Sequence, residues 1–294
     1  MYLAQVIARQ GKTFIVENEQ GQQHHCHART SALDAVCGDY VECNATSESK
    51  HVIENIRERK NQISRIDNFK REKTLAANID HIIIVVAATP AFSTLLIDKY
   101  LACAQINKCK TTLTINKAEL LNTNHVDINS LENTYEELTN NFIITSAKLG
   151  YGIQALRKVI ANENTILVGQ SGVGKSSLIN RLLYNNHIKV GELSASIQQG
   201  KHTTTNAFAY SINQYGKIID SPGVRTFMPI FKNTQQVMLG YKEFLPHISH
   251  CKFTDCQHIN EPQCAIKSAV NKGTIKQSRY QNYLEIIQEV NQQQ

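Results

Sequence analysis

The chemistry of this chain starts in TILVGQSGVGKSSLINRLL, residues 165 to 183. Gly169, Gly174, Lys175 and Ser176 fit G-x-x-x-x-G-K-S, and they stand between an apolar run suited to a strand and a run with one apolar helical face. Small residues let successive backbone N–H groups, over Gln170, Ser171, Gly172, Val173 and on to Ser177, turn inward on phosphate oxygens at a helix start. Lys175 is expected to reach the outer phosphates and the Ser176 hydroxyl to join a Mg²⁺ shell.

Two later stretches supply what such a site lacks. Asp220 and Gly223 lie in DSPG, directly after the strand-like YGKIID. A carboxylate there can act on Mg²⁺ through water, and the glycine can let its N–H approach a terminal phosphate. Between the two lies GKHTTT, Gly200 to Thr205. A hydroxyl of Thr204 or Thr205 can complete the magnesium shell, and the loop is expected to order when a triphosphate binds. His202 in the same loop can orient a water or accept its proton at neutral pH.

The base-reading pieces come earlier in the chain. NKAE supplies Asn116, Lys117 and Glu119, and SAK supplies Ser146, Ala147 and Lys148. The aliphatic stem of Lys117 can pack on a purine, Asn116 can bond to its edge, and the Ala147 N–H can meet a guanine oxygen. Glu119 can accept from the guanine N1–H and amino group, a pattern adenine does not offer, so the nucleotide is expected to be GTP. The order base, base, phosphate, switch, magnesium is that of a GTPase sheet cut and rejoined at nearby ends, a change that leaves a packed core intact.

A separate set lies near the C-terminus, in CKFTDCQHINEPQC. Cys251, Cys256 and Cys264 with His258 offer three thiolates and one imidazole, a full tetrahedral set for one structural Zn²⁺ with no open position for water. The other five cysteines stand singly and read as buried thiols. His24, His25 and His27 alternate across a strand and do not read as ligands.

Together these motifs strongly resemble the bacterial circularly permuted GTPases that depend on the small ribosomal subunit, over essentially the whole chain. NKAE, SAK, GQSGVGKSSLIN, GKHTTT, DSPG and C-x4-C-x-H-x5-C carry the resemblance. It implies hydrolysis of GTP to GDP and phosphate, slow alone and stimulated by the small ribosomal subunit, which the protein binds through rRNA late in subunit maturation. It also implies His202 as the catalytic histidine and the Cys₃His set as the zinc ligands. The chain departs from the family in Glu119, where Asp is usual, and in Lys201, where Arg is common. Val224 follows DSPG where many signalling GTPases carry a water-orienting glutamine, and a hydrophobic residue there is usual in the family.

Three units are expected to position these residues. Residues 1–66 alternate with period two between glycine turns and predict an OB-type β-barrel. Residues 67–230 alternate strands with helices, which predicts an α/β GTPase domain with a parallel-dominated sheet and its ligand loops at the strand C-termini. Residues 231–294 predict a zinc-binding helical domain, with helices at 234–245 and 276–290 and a frayed NQQQ terminus.

Composition bounds the partner. The formal charge of +6 favours a polyanion. The most apolar run, Ile82 to Ala88, is too short to cross a bilayer and MYLAQVIARQGK is not a signal peptide, so a cytoplasmic monomer with no membrane partner is expected. The alternative is a GTP-regulated scaffold that binds protein and no RNA.

Overall fold

The computed structural model describes residues 1–47, 50–66, 71–123, 127–183, 207–213, 216–225 and 227–293. Five strands open the chain: β1 (Tyr2–Gln10), β2 (Thr13–Asn18), β3 (Gln23–Ala28), β4 (Tyr40–Ser47) and β5 (Lys50–Ile56). They pair in the order β1-β2-β3-β5-β4, and β4 returns to β1, which closes an OB-like barrel. Strand alternation sends Val6, Phe14, Val16, Cys26, Val41, Cys43 and Ile53 into one buried cluster. His25 and His27 face solvent, whereas His24 stacks on His51 with ring centroids 4.2 Å apart.

A two-stranded sheet follows, β6 (Gln62–Ile66) against β7 (Glu72–Ala77). It has no counterpart in the sequence reading. The charges at Lys70, Arg71, Glu72 and Lys73 hide the alternation of a strand.

The α/β unit runs β8 (His81–Ala87), α1 (Thr94–Ile106), β9 (Lys110–Asn116), α2 (Ile128–Tyr135), β10 (Asn141–Ile144), α3 (Ile153–Val159), β11 (Asn164–Val168), α4 (Lys175–Leu183), β12 (Ala207–Ser211), β13 (Lys217–Asp220) and α5 (Pro222–Arg225). Its sheet order is β10-β9-β8-β11-β13-β12, parallel except for β12. Strand β8 is buried throughout because helices cover both faces. Ile82, Ile84 and Val86 pack with Ile97, Tyr100 and Leu101 of α1. Ile83, Val85 and Ala87 pack with Leu156 of α3 and Leu178 and Leu182 of α4. Parallel pairing gathers the ends of β9, β10, β11 and β13 at one edge of the sheet.

Barrel and α/β unit share this sheet, for β12 also pairs with β1 in the register Ala8↔Phe208. The C-terminal helices are α6 (Thr234–Gly240), α7 (Leu245–Ile248), α8 (Ala265–Asn271) and α9 (Gln277–Gln293). Helix α6 stops at Gly240 rather than 245, α8 was not anticipated, and α9 extends to Gln293, taking in three of the four residues of the terminal NQQQ. A buried cluster ties these helices to α1: Asp98 forms an ion pair with Arg279 at 2.5 Å and accepts hydrogen bonds from Asn282 Nδ2 at 2.7 Å and the Tyr135 hydroxyl at 2.8 Å. Leaving any buried charge of this set unpaired would cost about 3–5 kcal/mol.

Candidate functional site

The phosphate loop joins β11 to α4, and glycine is required at both of its ends. A Cβ at Gly169 would stand 2.2 Å from the Val85 carbonyl oxygen, and one at Gly174 would stand 2.3 Å from Asn116 Nδ2. Both residues have positive φ, 136° and 97°. Lys175 Nζ turns back on the loop and donates to the Gly169 and Gln170 carbonyls at 2.7 Å each. Burial lowers its pKa, so an incoming phosphate offers the ammonium a better partner than two neutral carbonyls.

Asn116 ends β9 and joins three segments. Its Nδ2 donates to the Val173 carbonyl at 2.9 Å, and its Oδ1 accepts from Ala147 N at 3.1 Å and Thr145 Oγ1 at 3.3 Å. The Val173 bond uses one of the two Nδ2 hydrogens, so the amide keeps a donor for the base-edge bond read from the sequence, and Asn116 itself lines the cleft described below. Its work here is to lock the phosphate loop to the SAK loop. A guanine oxygen must share the Ala147 N–H with it.

Lys117 has φ 62° and anchors its ammonium on the Thr89 carbonyl at 2.7 Å, which leaves its stem along the cleft. Glu119 Oε2 accepts from Ser146 Oγ at 2.5 Å. That hydrogen bond holds the carboxyl below its usual pKa range and keeps it an acceptor. Lys117, Glu119, Ala147, Lys148, Gly174 and Ser177 line a cleft of about 640 Å³, within the range of ligand sites.

Leu120, Asn180 and Arg181 line the same cleft, and the sequence reading did not include them. A signal for two of them was present. Residues three and four positions after Ser177 share its helix face, so a site at Ser177 implies Asn180 and Arg181.

Asp220 ends β13, and its carboxylate is held by Arg225, with Nε donating to Oδ1 at 2.7 Å and a second bond from Nη2 to Oδ2. Magnesium would have to compete with that guanidinium. Gly223 lies inside the short helix α5 rather than in an open turn, with Leu75 Cδ2 2.8 Å from where a Cβ would sit. Val224 is 1% exposed in the core and can reach no water. His202, Thr204 and Thr205 lie outside the described residues.

The second constellation forms as the sequence implies. One ligand atom from each of Cys251, Cys256, His258 and Cys264 lies within 4.8 Å of the others. Zinc bonds of ~2.3 Å to sulfur and ~2.0 Å to nitrogen at the tetrahedral angle set S···N at about 3.5 Å. His258 Nδ1 stands 3.6 Å from Cys251 Sγ and 3.4 Å from Cys264 Sγ, so the donor set fits zinc, with Nδ1 the nitrogen turned toward the thiols. Burial pushes the Cys256 thiol up to about 12 and raises Cys264 as well, an environment in which thiolates need a cation. Cys26, Cys37, Cys43 and Cys103 are buried free thiols, and Cys109 is half-buried.

No described helix is long and apolar enough to cross a membrane. A family model for the RsgA GTPase matches residues 56–229. The "Small ribosomal subunit biogenesis GTPase RsgA" of Haemophilus influenzae strain PittGG is 39% identical over 282 residues, 94% of this chain and 82% of that one. The protein of the same name from Hamiltonella defensa is 40% identical over 294 residues, covering 97% and 84%. Among solved structures, YjeQ from Thermotoga maritima superposes with a TM-score of 0.81 at 31% identity, over 98% of each chain. YloQ, described as a circularly permuted GTPase, superposes with a TM-score of 0.75 over 100% of this chain and 96% of its own; at 23% identity it speaks for the fold. The permuted order of base and phosphate loops thus has whole-chain company, and the protein belongs to the RsgA GTPase family.

Proposed function

We propose that this GTPase acts on the small ribosomal subunit in the cytoplasm, late in subunit maturation, and that the subunit stimulates its otherwise slow hydrolysis of GTP. The observation that carries the reading is the meeting of Asn116, Ala147 and Val173: one side-chain amide joins two base-reading segments to the phosphate loop. The names of the relatives support the choice of partner.

In this reading Asn116, Lys117, Glu119 and the loop Ser146, Ala147 and Lys148 hold guanine. The loop from Gly169 to Ser177 holds the phosphates, with Lys175 moving from its carbonyls to phosphate oxygens. Mg²⁺, when bound with GTP, neutralises charge developing on the outer phosphates. Ser176, Asp220 and one of Thr204 and Thr205 would hold it, Gly223 would approach the terminal phosphate, and His202 would orient the water that Val224 cannot. One structural Zn²⁺ sits on Cys251, Cys256, His258 and Cys264. The three units, 1–66, 67–230 and 231–294, act as a monomer whose barrel and zinc domain meet rRNA, and the charge of +6 supports a salt-dependent approach.

Single-turnover GTP hydrolysis, with and without saturating small subunits at low salt, tests this. Acceleration by subunits and not by ribosome-depleted cellular protein is the expected result. An unchanged rate would overturn the ribosomal reading and leave a GTP-regulated protein scaffold.

A further inference from the structure

The cleft contains a cation that no motif explains. Arg181, at the second turn of α4, donates from Nε to the Ala147 carbonyl at 2.8 Å and from Nη2 to the Lys148 carbonyl at 3.0 Å. A phosphate-loop helix thereby grips the backbone of the base loop. The grip is reciprocal: Arg157 of α3, the helix that follows the base loop, donates from Nη2 to the Leu182 carbonyl at 2.6 Å and the Arg181 carbonyl at 3.3 Å.

The peptide plane transmits the consequence. In a trans peptide C=O and N–H point in opposite directions, so fixing the Lys148 carbonyl also fixes the Leu149 N–H. That N–H donates to Ser146 Oγ at 3.0 Å, and Ser146 Oγ in turn donates to Glu119 Oε2 at 2.5 Å. A continuous chain therefore runs from Arg181 through the 148–149 peptide and Ser146 to the carboxylate facing the cleft. The planar guanidinium suits this task, since its rigid fork presents two donors in a fixed geometry to two adjacent carbonyls.

We propose that Arg181 is a specificity-positioning residue: through the 146–149 backbone it sets the orientation of Glu119 and with it the preference for the guanine amino group. The inference rests on the reading that this cleft holds guanine.

The test compares GDP with IDP, which lacks only the exocyclic amino group, and with ADP, by equilibrium titration on the full chain. Wild-type protein is expected to prefer GDP over both. In Arg181→Ala the GDP:IDP affinity ratio should fall about 10-fold, the scale of a lost charge-assisted hydrogen bond, and Arg181→Lys should recover part of it. Ser146→Ala, which cuts the chain further along, should lower the ratio too, and the double variant should add little to either single change. Damage to α4 alone would weaken all three nucleotides in parallel, because that helix carries the phosphate loop. A parallel loss, an unchanged ratio, or additive effects of the two substitutions would overturn the proposal while wild-type selectivity stands. Equal wild-type affinities for GDP and ADP would remove the guanine reading itself, and the proposal with it.

Discussion

Ser146 Oγ and Glu119 Oε2 lie 2.5 Å apart, a bond that spans the two base-reading segments. The family's usual Asp is one methylene shorter, so the extra length of Glu119 is absorbed by this contact and the carboxylate stays at the cleft. Guanine selectivity is therefore expected to survive the substitution. In competition titrations GTP should displace a bound guanine nucleotide at least about 100-fold better than ATP, as for sites that reject an analogue by leaving buried polar groups unpaired. Equal displacement by the two nucleotides would contradict the assignment of Glu119.

Lys175 rests on two carbonyls that it would leave for phosphate, and Arg225 rests on a carboxylate that magnesium would claim. Lys175→Ala should weaken GDP binding roughly 100-fold, as expected when a buried charge loses its partner. Arg225→Ala should act in the opposite sense on metal: with the guanidinium gone from Asp220, less Mg²⁺ should be needed for half-maximal GTP binding. A magnesium titration of GTP affinity in both variants checks this. An increased magnesium requirement in Arg225→Ala would show that Arg225 supports the metal site rather than competing for it.

The Cys₃His cluster should carry one zinc per chain. Elemental analysis of protein purified without chelator is the direct measurement. Cys256→Ala should loosen α6 to α9 more than the α/β unit, because a short polar segment depends on its metal for folding energy. Hydrogen exchange would register this as faster exchange confined to those helices.

His81 should make the fold acid-sensitive. At the start of β8 its Nε2 lies 2.8 Å from Thr112 Oγ1, and burial pushes its pKa down to about 4 from the ordinary 6.5. The unfolded chain therefore binds the extra proton first as pH falls. Stability from this group is complete above about pH 6.5 and declines toward pH 4, by about 3 kcal/mol in all. Urea unfolding at pH 7.5 and 5.0 should show this decline, and His81→Gln should flatten it. An equal pH slope in that variant would assign the effect to other groups.

Much of this molecule was legible because its signals are local. The run from Ile82 to Ala87 announces a strand covered on both faces, and each nucleotide motif stands at the end of an apolar run. The Cys₃His cluster was readable from residue type and spacing. What escaped depends on distant partners. Nothing near Asn116 says that its amide is taken by Val173 and Ala147, and nothing near Asp220 says that Arg225 holds it. Helix α8 was missed because its seven residues are too few for a clear helical period beside a cysteine cluster. The β6–β7 pair was missed because a run of charges interrupts it.

The permuted strand order also sets a timetable for synthesis. Strands β8, β9 and β10 leave the ribosome first and can pair outward from β8, but the opposite edge of β8 is completed only by β11, which begins at Asn164. Until then HIIIVVA presents an unpaired, apolar edge, and of the helices on one of its faces only α3, with Leu156, has been made. Such an edge is a template for pairing with other chains. A nascent chain stalled before Asn164 should accordingly aggregate or engage chaperones, and one released after Leu183 should do so far less. The arrangement that brings the base readers out first leaves the centre of the sheet waiting for the phosphate loop.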